Sequence, residues 1–324
     1  MRTHHERRVG HAFAEDRKFY KLTPTSIGNI NLDHLAGQQV GTSVLIKKIG
    51  HGAMSAVFLA FQKSLKRQIA VKILPKSLLT EKSAAFFQQE AESAAILAHP
   101  NIIPIYEVGE TEDFLFFTMQ LVQGNPLSYY ISQAQKNIVP SKRFLPLPTI
   151  ISLMLKVLDA LAYAHDNDII HRDIKPDNVM IEHHSKRPLI TDFGVARVSR
   201  TKSKSDHLLL GTPIYIAPEQ ILSGTVDGRA DMYSAAVMML EMLMGRLPYP
   251  PYKTAMDLLK MKLSLKDRIF QKRPSEVHPV ANRALDEIVF DALAFEPDER
   301  YPSCRDFAKQ LEHYQKQMIR PSPR

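Results

Sequence analysis

The chain of 324 residues is long enough for two ordinary domains or for one large bilobal unit with its own core. Hydrophobic residues make up 44% and charged residues 23%, which is the balance of a soluble globular protein and excludes a largely disordered or fibrous chain. The formal charge of +8 is spread along the chain without the aromatic-and-basic pattern of a single-strand binder, so we expect no nucleic-acid partner.

The cysteine content and the hydropathy pattern bear on the compartment. Cys304 is the single cysteine, so no disulfide can form within the chain, and a reducing, cytoplasmic setting is expected. No apolar leader opens the sequence, and the most apolar helix-like stretch, 232–244, is too short to cross a bilayer. We therefore expect no membrane span in this chain.

The first half of the chain begins with a polar stretch and continues with β-prone runs. Residues 1–41 are rich in His and Arg, and we predict an N-terminal extension that is partly disordered. From Thr42 onward, short β-prone runs with turn residues between them predict an antiparallel meander. Gly50 and Gly52 lie between two of these runs, where backbone N–H groups could approach a phosphate closely. A plain hairpin is the alternative, because Ser55 stands where a third glycine would strengthen the pattern.

A helix predicted over 81–98 places a charge on an apolar face. Phe87 and Ala94 lie on that face, and Glu90 lies between them on the same side. A carboxylate that points into a core needs a cation, and Lys72, in the apolar strand before the helix, is the predicted partner. The alternative is that Glu90 reaches solvent at the edge of the helix.

The second half of the chain is mainly helical. Two further strands are predicted over 103–108 and 114–121, and the character changes after Gly124. Apolar residues at helical spacing predict helices over 148–166, 227–244, 282–294 and 302–315. The tail, 316–324, is predicted to be disordered.

The strongest pattern is a set of motifs in a fixed order. The motifs are His171-Arg172-Asp173-Ile174-Lys175-Pro176-Asp177-Asn178, Asp192-Phe193-Gly194 and Ala217-Pro218-Glu219. Together with the glycine loop, Lys72 and Glu90, they resemble the eukaryotic-like (Hanks-type) protein kinase family in its bacterial serine/threonine form. The resemblance covers roughly residues 42–315.

The resemblance implies an α+β, bilobal protein kinase fold. A small lobe over 42–121 would hold a five-stranded antiparallel sheet with one helix, and a larger, mainly helical lobe would cover 122–315. ATP would lie in the cleft between the lobes, with Mg²⁺ (or Mn²⁺) as its metal.

The resemblance also implies the roles of individual residues. The catalytic set would be Asp173, Lys175, Asn178, Lys72 and Glu90. Asp173 would orient the substrate hydroxyl, Lys175 would lie near the γ-phosphate, and Asn178 and Asp192 would hold the metal. The nucleotide-binding set would be Ile49, Gly50, His51, Gly52, Ala53, Met54, Ser55, Val57, Ala70, Lys72, Met119, Gln120, Val122, Lys175, Asn178, Met180 and Asp192.

Other matched residues are expected to be structural. His171 would pack beneath Phe193, and Asp231 would hold the backbone of the catalytic loop. Glu219 and Arg300 would form a buried ion pair in the large lobe. Thr212 matches a family threonine that bonds to the catalytic Asp and Lys.

The segment 192–219 offers candidate sites of regulation. Thr201, Ser203 and Ser205 lie among basic residues, and autophosphorylation at one of them, through transient self-association, would order the segment. The alternative is an unmodified basic loop.

Three functions remain to be compared. The first is an active Ser/Thr protein kinase acting on protein hydroxyls. The second is a pseudokinase that binds nucleotide as a scaffold, which the presence of Lys72, Asp173 and Asp192 disfavours. The third is a small-molecule kinase, which the long segment ending in Ala217-Pro218-Glu219 disfavours, because that segment builds a platform for protein substrates.

Overall fold

The small lobe is an antiparallel sheet with one helix against it. The computed structural model describes residues 32–51, 55–139, 142–193, 213–222 and 225–319. The strands of the main sheet are β1 (Gln39–Val40), β2 (Ser43–His51), β3 (Ala56–Gln62), β4 (Arg67–Pro75), β5 (Ile105–Glu110) and β6 (Phe114–Gln120), and helix α1 spans Glu81–Ala95.

The sheet has six strands in the order β1-β2-β3-β4-β6-β5, so the expected five-stranded sheet was one strand short. The additional strand is β1, which pairs with the start of β2 through Gln39 opposite Val44 and Val40 opposite Ser43. Val40 is fully buried, which places it in the small lobe and not in an extension that ends at residue 41. Two residues are too few to show the alternation that identifies a strand.

Burial differs along the strands according to their place in the sheet. Strand β3 alternates between buried and partly buried residues, as a strand with one covered face does. Strand β4 lies between β3 and β6 and is buried from Ile69 to Pro75. Helix α1 covers one face of the sheet, where Phe87 lies 5.9 Å from Phe117, ring centroid to ring centroid. A core therefore forms directly behind Lys72.

The large lobe is helical, with a second small sheet at its junction with the small lobe. Its helices are α2 (Leu127–Gln135), α3 (Leu147–Asp166), α4 (Pro218–Leu222), α5 (Gly228–Met244), α6 (Ala255–Leu265), α7 (Arg283–Ala292) and α8 (Cys304–Ile319). Strands β7 (Gly124–Pro126), β8 (Val179–Glu182) and β9 (Pro188–Ile190) form a three-stranded antiparallel sheet. The α+β, bilobal fold is therefore confirmed, and Leu35–Arg324 forms one compact unit.

Helix α5 is the centre of the large lobe. The Asp227 side chain caps its first turn by accepting from the Arg229 N–H, and Gly245, with φ of 73°, ends it. Buried side chains surround the helix on all sides, and the methionines among them are Met232, Met238, Met239, Met242 and Met244. A helix that is apolar all round must lie inside the protein. Its one fully buried carboxylate, Asp231, is consequently in a fixed place.

Within the described part of the chain, one helix is long and apolar enough to cross a membrane. This helix is α3, and 56% of its most apolar window is buried inside the protein. Helix α3 packs against α5 and α8 in the large-lobe core. Its hydropathy is that of a core helix.

Several element boundaries differ from the sequence prediction, most of them by one or two residues, and the ends of α1 and α8 differ by more. Helix α1 ends at Ala95 and not at 98, because the chain turns before His99-Pro100, and the residue that precedes a proline disfavours the helical conformation. Helix α8 begins at Cys304 and runs to Ile319, so the first residues of the predicted disordered tail are helical. Leu311 and Tyr314 bury the inner face of this last helix.

Candidate active site

Lys72 lies in the middle of β4 and faces the cleft. It is opposite Val57 on β3 and Phe117 on β6, and it is only 5% exposed. Its Nζ donates to Asp192 Oδ1 at 2.6 Å. The predicted partner, Glu90, lies in α1, but its side chain is outside what the structure describes. The described partner of Lys72 thus comes from the large lobe.

Asp192 follows β9 and has an unusual backbone. Its φ is +64°, a conformation that costs energy in a residue other than glycine and that is found often at functional sites. Burial acts to raise the pKa of the Asp192 carboxyl, but the Lys72 ammonium outweighs this effect and holds the pKa below its ordinary value. The next residue, Phe193, is buried against the His171 ring at 4.6 Å between centroids, as predicted. Asp192 is therefore held as an anion between the two lobes.

The catalytic loop brings three predicted side chains together. Lys175 Nζ donates to Asp173 Oδ2 at 2.6 Å. Asn178 Nδ2 donates to the Asp173 backbone oxygen at 2.7 Å and to its Oδ2 at 3.0 Å. The Asp173 side chain is still 38% exposed, so its carboxylate is open to solvent. Because its nitrogen is used in this way, Asn178 has its amide oxygen left to offer to a cation.

Asp231 of α5 supports this loop from below. It accepts from the backbone N–H of His171 at 2.8 Å and of Arg172 at 2.7 Å, and its Oδ2 lies 2.8 Å from His165 Nε2. Burial acts to raise the pKa of the Asp231 carboxyl, and the hydrogen bond with His165 brings it below the ordinary value. Arg172 has φ of +67°, so these bonds hold a strained residue immediately before Asp173. The predicted role of Asp231 is confirmed.

Four of the predicted nucleotide-binding residues lie together in one apolar cluster of the small lobe. Val57, Ala70, Met119 and Val122 belong to one apolar cluster, in which Ala70 and Met119 are buried. Met180 lies on β8, opposite Pro126 of β7. The backbone N–H of Gln120 bonds to the carbonyl oxygen of Pro104, which fixes the end of β6.

Gly124 allows the linker between the lobes to pass close to β8. A Cβ at this position would lie 2.1 Å from the backbone oxygen of Ile181, nearer than real Cβ contacts come. Glycine is thus required because the backbones of β7 and β8 come close together at this position.

The glycine loop is described at its two ends. Ile49, Gly50 and His51 belong to β2, with Gly50 opposite Val57 and His51 opposite Ala56, and Ser55 precedes β3. Gly52, Ala53 and Met54 lie outside the described residues. The two strands therefore lead into and out of the loop.

The predicted ion pair of the large lobe is confirmed. Arg300 donates to both carboxylate oxygens of Glu219, at 2.8 Å and 2.9 Å, and both residues are buried. The guanidinium also donates to the backbone oxygens of Arg229, Phe295 and Ala294. The segment that carries Thr201, Ser203, Ser205 and Thr212 lies outside the described residues.

The Gln220 side chain makes two hydrogen bonds that the sequence analysis did not predict. Its Oε1 accepts from the Ala217 N–H at 3.0 Å, and its Nε2 donates to the Arg172 backbone oxygen at 3.1 Å. A glutamine after Ala217-Pro218-Glu219 does not reveal in the sequence that its side chain bonds to a residue as distant in the chain as Arg172. The start of α4 is consequently bonded to the catalytic loop.

Comparison with known proteins agrees with this geometry. The family model described as the protein kinase domain matches residues 43–316. The serine/threonine-protein kinase Pkn1 of Myxococcus xanthus is 32% identical over 90% of this chain, and PrkC of Bacillus subtilis is 32% identical over 84%. The crystal structure of the PknI kinase domain of Mycobacterium tuberculosis superposes with a TM-score of 0.67 at 27% identity, covering 86% of this chain and 98% of that one.

A small β lobe and a helical lobe that meet at Lys72 and Asp192, above an Asp173–Asn178 loop, define a protein kinase domain. The chain belongs to the protein kinase domain family, and the relatives quoted are bacterial Ser/Thr kinases of the Hanks type. The chain spans 41% of the length of Pkn1 and 40% of that of PrkC.

Proposed function

We propose that this chain is a protein kinase that transfers the γ-phosphate of ATP to serine or threonine hydroxyls of proteins. The observation that carries the proposal is the accessible Asp173 carboxylate, bonded to both Lys175 and Asn178. In this arrangement Asp173 receives the proton of the attacking hydroxyl, a role worth about 10²–10⁴-fold in rate. Lys175, already beside Asp173, compensates negative charge on the transferring phosphoryl group.

The donor set suits a magnesium ion held together with phosphates. Asp192 supplies a carboxylate and Asn178 an amide oxygen, which are hard ligands of the kind that Mg²⁺ prefers. Among the described residues, no group of three or more His, Cys, Asp or Glu side chains could hold a metal ion alone. Mg²⁺ usually binds through one or two protein ligands plus phosphate and water, so this sparse set fits it. When bound, the metal would neutralise phosphate charge, while Lys72 orients Asp192.

Three further parts belong to the proposal. Thr201, Ser203 or Ser205 is modified by the kinase itself, through transient contact between two copies, since basic residues surround them. The domain limits 1–41, 42–121, 122–315 and 316–324 are also part of the proposal, and strand β1 and the end of helix α8 argue for moving the outer limits to include Val40 and Ile319. A cytoplasmic location is supported by Cys304, a buried free thiol.

Transfer of labelled γ-phosphate tests the proposed activity. Wild-type protein with ATP and Mg²⁺ should label itself and a generic basic protein, and Asp173→Asn should lower the rate by about 10²–10⁴-fold. Asp168→Asn is the matched control, because Asp168 is exposed in the turn that precedes the loop, and its rate should equal the wild type.

Identification of the labelled amino acid completes the test. Label on serine or threonine supports the proposal, and mass spectrometry of residues 192–219 would locate the site in the chain. Label on tyrosine would contradict the assigned specificity. Nucleotide binding with no transfer in the wild type would favour the scaffold function.

A further inference from the structure

The segment 213–216 leads into α4, and the backbone oxygens of its last three residues accept hydrogen bonds from side chains of the large lobe. Lys262 Nζ of α6 donates to the backbone oxygens of Ile214 at 2.7 Å and Ile216 at 2.8 Å. Ser234 Oγ of α5 donates to the backbone oxygen between them, that of Tyr215, at 2.8 Å. All three residues of the segment keep part of their surface exposed. Three successive backbone carbonyls are thus held by side chains of α5 and α6, while the segment itself remains partly exposed to solvent.

Tyr249 adds a second donor at one of these carbonyls. Its hydroxyl donates to the Ile214 backbone oxygen at 2.7 Å, so that oxygen accepts from both Lys262 and Tyr249. The Tyr249 ring also covers the Lys262 ammonium, with 5.6 Å from Nζ to the ring centroid, and Tyr233 does so at 5.5 Å. The ammonium is therefore enclosed by carbonyls and aromatic faces.

Lys262 is an uncommon lysine. It is 1% exposed, and among the described residues no carboxylate forms an ion pair with it. Burial holds the pKa of its ammonium well below the usual range. A buried charge without a counter-ion is weak evidence for stability, because its desolvation offsets what its hydrogen bonds contribute. The main effect of Lys262 is therefore to fix the backbone conformation of residues 214–216 through its hydrogen bonds.

The bonded segment continues to the catalytic loop through a short chain of contacts. Ala217 follows the segment, and its N–H is held by Gln220, which in turn donates to the backbone oxygen of Arg172. Arg172 immediately precedes Asp173. The position of residues 214–216 is consequently fixed relative to the proposed base.

We infer that Lys262 is a positioning residue for the protein substrate: it holds residues 214–216 as a rigid edge beside Asp173, along which the substrate chain lies. This inference rests on the proposed function and adds a specific residue to it. Lys262 contacts neither nucleotide-binding residues nor Asp173 among its described bonds, so its loss should change the use of protein substrate and not of ATP.

The test compares Lys262→Met with Lys260→Met. Methionine matches lysine in length and needs no hydrogen-bond partner, so the first variant is expected to fold, and Lys260 is an exposed lysine on the same helix. With myelin basic protein as substrate, Lys262→Met should raise the KM for that protein by about tenfold, the value of one or two lost hydrogen bonds. The KM for ATP should stay at the wild-type value, and Lys260→Met should change neither constant.

Hydrogen–deuterium exchange supplies a readout that needs no activity. Amides of residues 214–217 should exchange at least about tenfold faster in Lys262→Met, whereas exchange in α5 and α6 should stay unchanged. Tyr249→Phe, which removes the other donor to Ile214, should give a smaller increase at the same residues.

The outcomes separate this inference from the proposed function. Unchanged amide exchange at residues 214–217 in Lys262→Met, or a KM for ATP that rises as much as the KM for protein, would overturn the role of Lys262. Faster exchange at residues 214–217 in Lys262→Met, together with no phosphate transfer by the wild type, would support the anchoring and count against the kinase activity alone.

Discussion

Lys72 of the small lobe and Asp192 of the large lobe form a direct ion pair, with 2.6 Å between Nζ and Oδ1. Lys72 is buried in the central strand β4, and Asp192 has a left-handed backbone at the end of β9. The linker near Val122 also connects the lobes, and so does the hydrogen bond that Asn101 Nδ2 donates to the Pro188 backbone oxygen at 2.7 Å. The pair is therefore one of several contacts between the lobes, and it is the one that joins two predicted site residues.

Replacement of Lys72 by methionine should therefore impair catalysis strongly. Asp192 loses the cation that keeps its carboxylate ionised and oriented, so we expect kcat/KM for phosphate transfer to fall by about 10²–10³-fold. Lys76→Met is the control, because Lys76 pairs with Glu110 at the surface. Steady-state transfer rates measure both variants, and a Lys72→Met enzyme that retains wild-type kcat/KM would contradict the role given to the pair.

The buried pair of Arg300 and Glu219 should dominate the stability of the large lobe. Arg300→Met leaves the Glu219 carboxylate buried without its cation, and we expect a loss of about 3–5 kcal/mol in the free energy of unfolding. Arg305→Met provides the comparison, since Arg305 pairs with Asp166 at the surface and its loss should cost less than about 1 kcal/mol. Urea denaturation of the two variants measures the difference, and equal losses would count against this ranking.

Glu241 gives the protein a pH-dependent stability. Burial raises the pKa of its carboxyl to about 7, although the hydrogen bond from the Tyr215 hydroxyl acts in the opposite direction. A folded-state pKa above the unfolded value of 4.5 means that the folded protein favours the protonated form. The contribution of Glu241 to stability is thus complete below pH 4.5 and is lost as the pH rises through about 7.

Glu241→Gln should remove this dependence. The free energy of unfolding of the wild type should fall relative to the variant between these pH values, by no more than about 3 kcal/mol. Tyr215→Phe, which removes the bond that lowers the pKa, should move the fall to higher pH. Glu312→Gln on the exposed face of α8 should follow the wild-type curve. If the free energies of unfolding of wild type and Glu241→Gln changed with pH in the same way, Glu241 would not be the source of the pH dependence.

Gly124→Ala should disturb the junction of the lobes. The added Cβ would lie 2.1 Å from the Ile181 backbone oxygen, so β7 must move away from β8, at a cost of about 1–3 kcal/mol. At Gly50 the nearest atom to an added Cβ is 3.7 Å away, in ordinary contact, so Gly50→Ala should change stability by less than about 1 kcal/mol. Thermal unfolding of both alanine variants tests this contrast, which fails if they unfold at the same temperature.

Much of the candidate site could be predicted from the sequence, because its residues lie in short motifs. Asp173, Lys175 and Asn178 are within six residues of one another, so a single loop suffices to bring them together. The ion pair of Glu219 with Arg300 is distant in the chain and was found only through the resemblance to a known family. The contact of Lys72 with Asp192 was not predicted, because a lysine near two carboxylates does not reveal its partner.

The parts of the fold that the sequence did not reveal are short or depend on distant pairing. Strand β1 has two residues, and β7, β8 and β9 have three, four and three, so none of them contains enough residues for an alternating pattern. Lys262 was also overlooked, although Leu258 and Leu259 place it on the apolar face of α6 by helical spacing. A lysine at a buried position of such a face is a signal that sequence reading can use.

The methionines of α5 have a consequence for oxidative damage. Met232, Met238, Met239, Met242 and Met244 are at most 6% exposed, whereas Met318 at the end of α8 is 42% exposed. A thioether must meet the oxidant to form a sulfoxide, so peroxide should modify Met318 before the methionines of α5, which it should spare while the lobe stays folded. Once one of the central thioethers is oxidised during a transient opening, the polar sulfoxide cannot return to its apolar place. The large lobe would then be unable to re-form its core, and the chain would keep a chemical record of having opened.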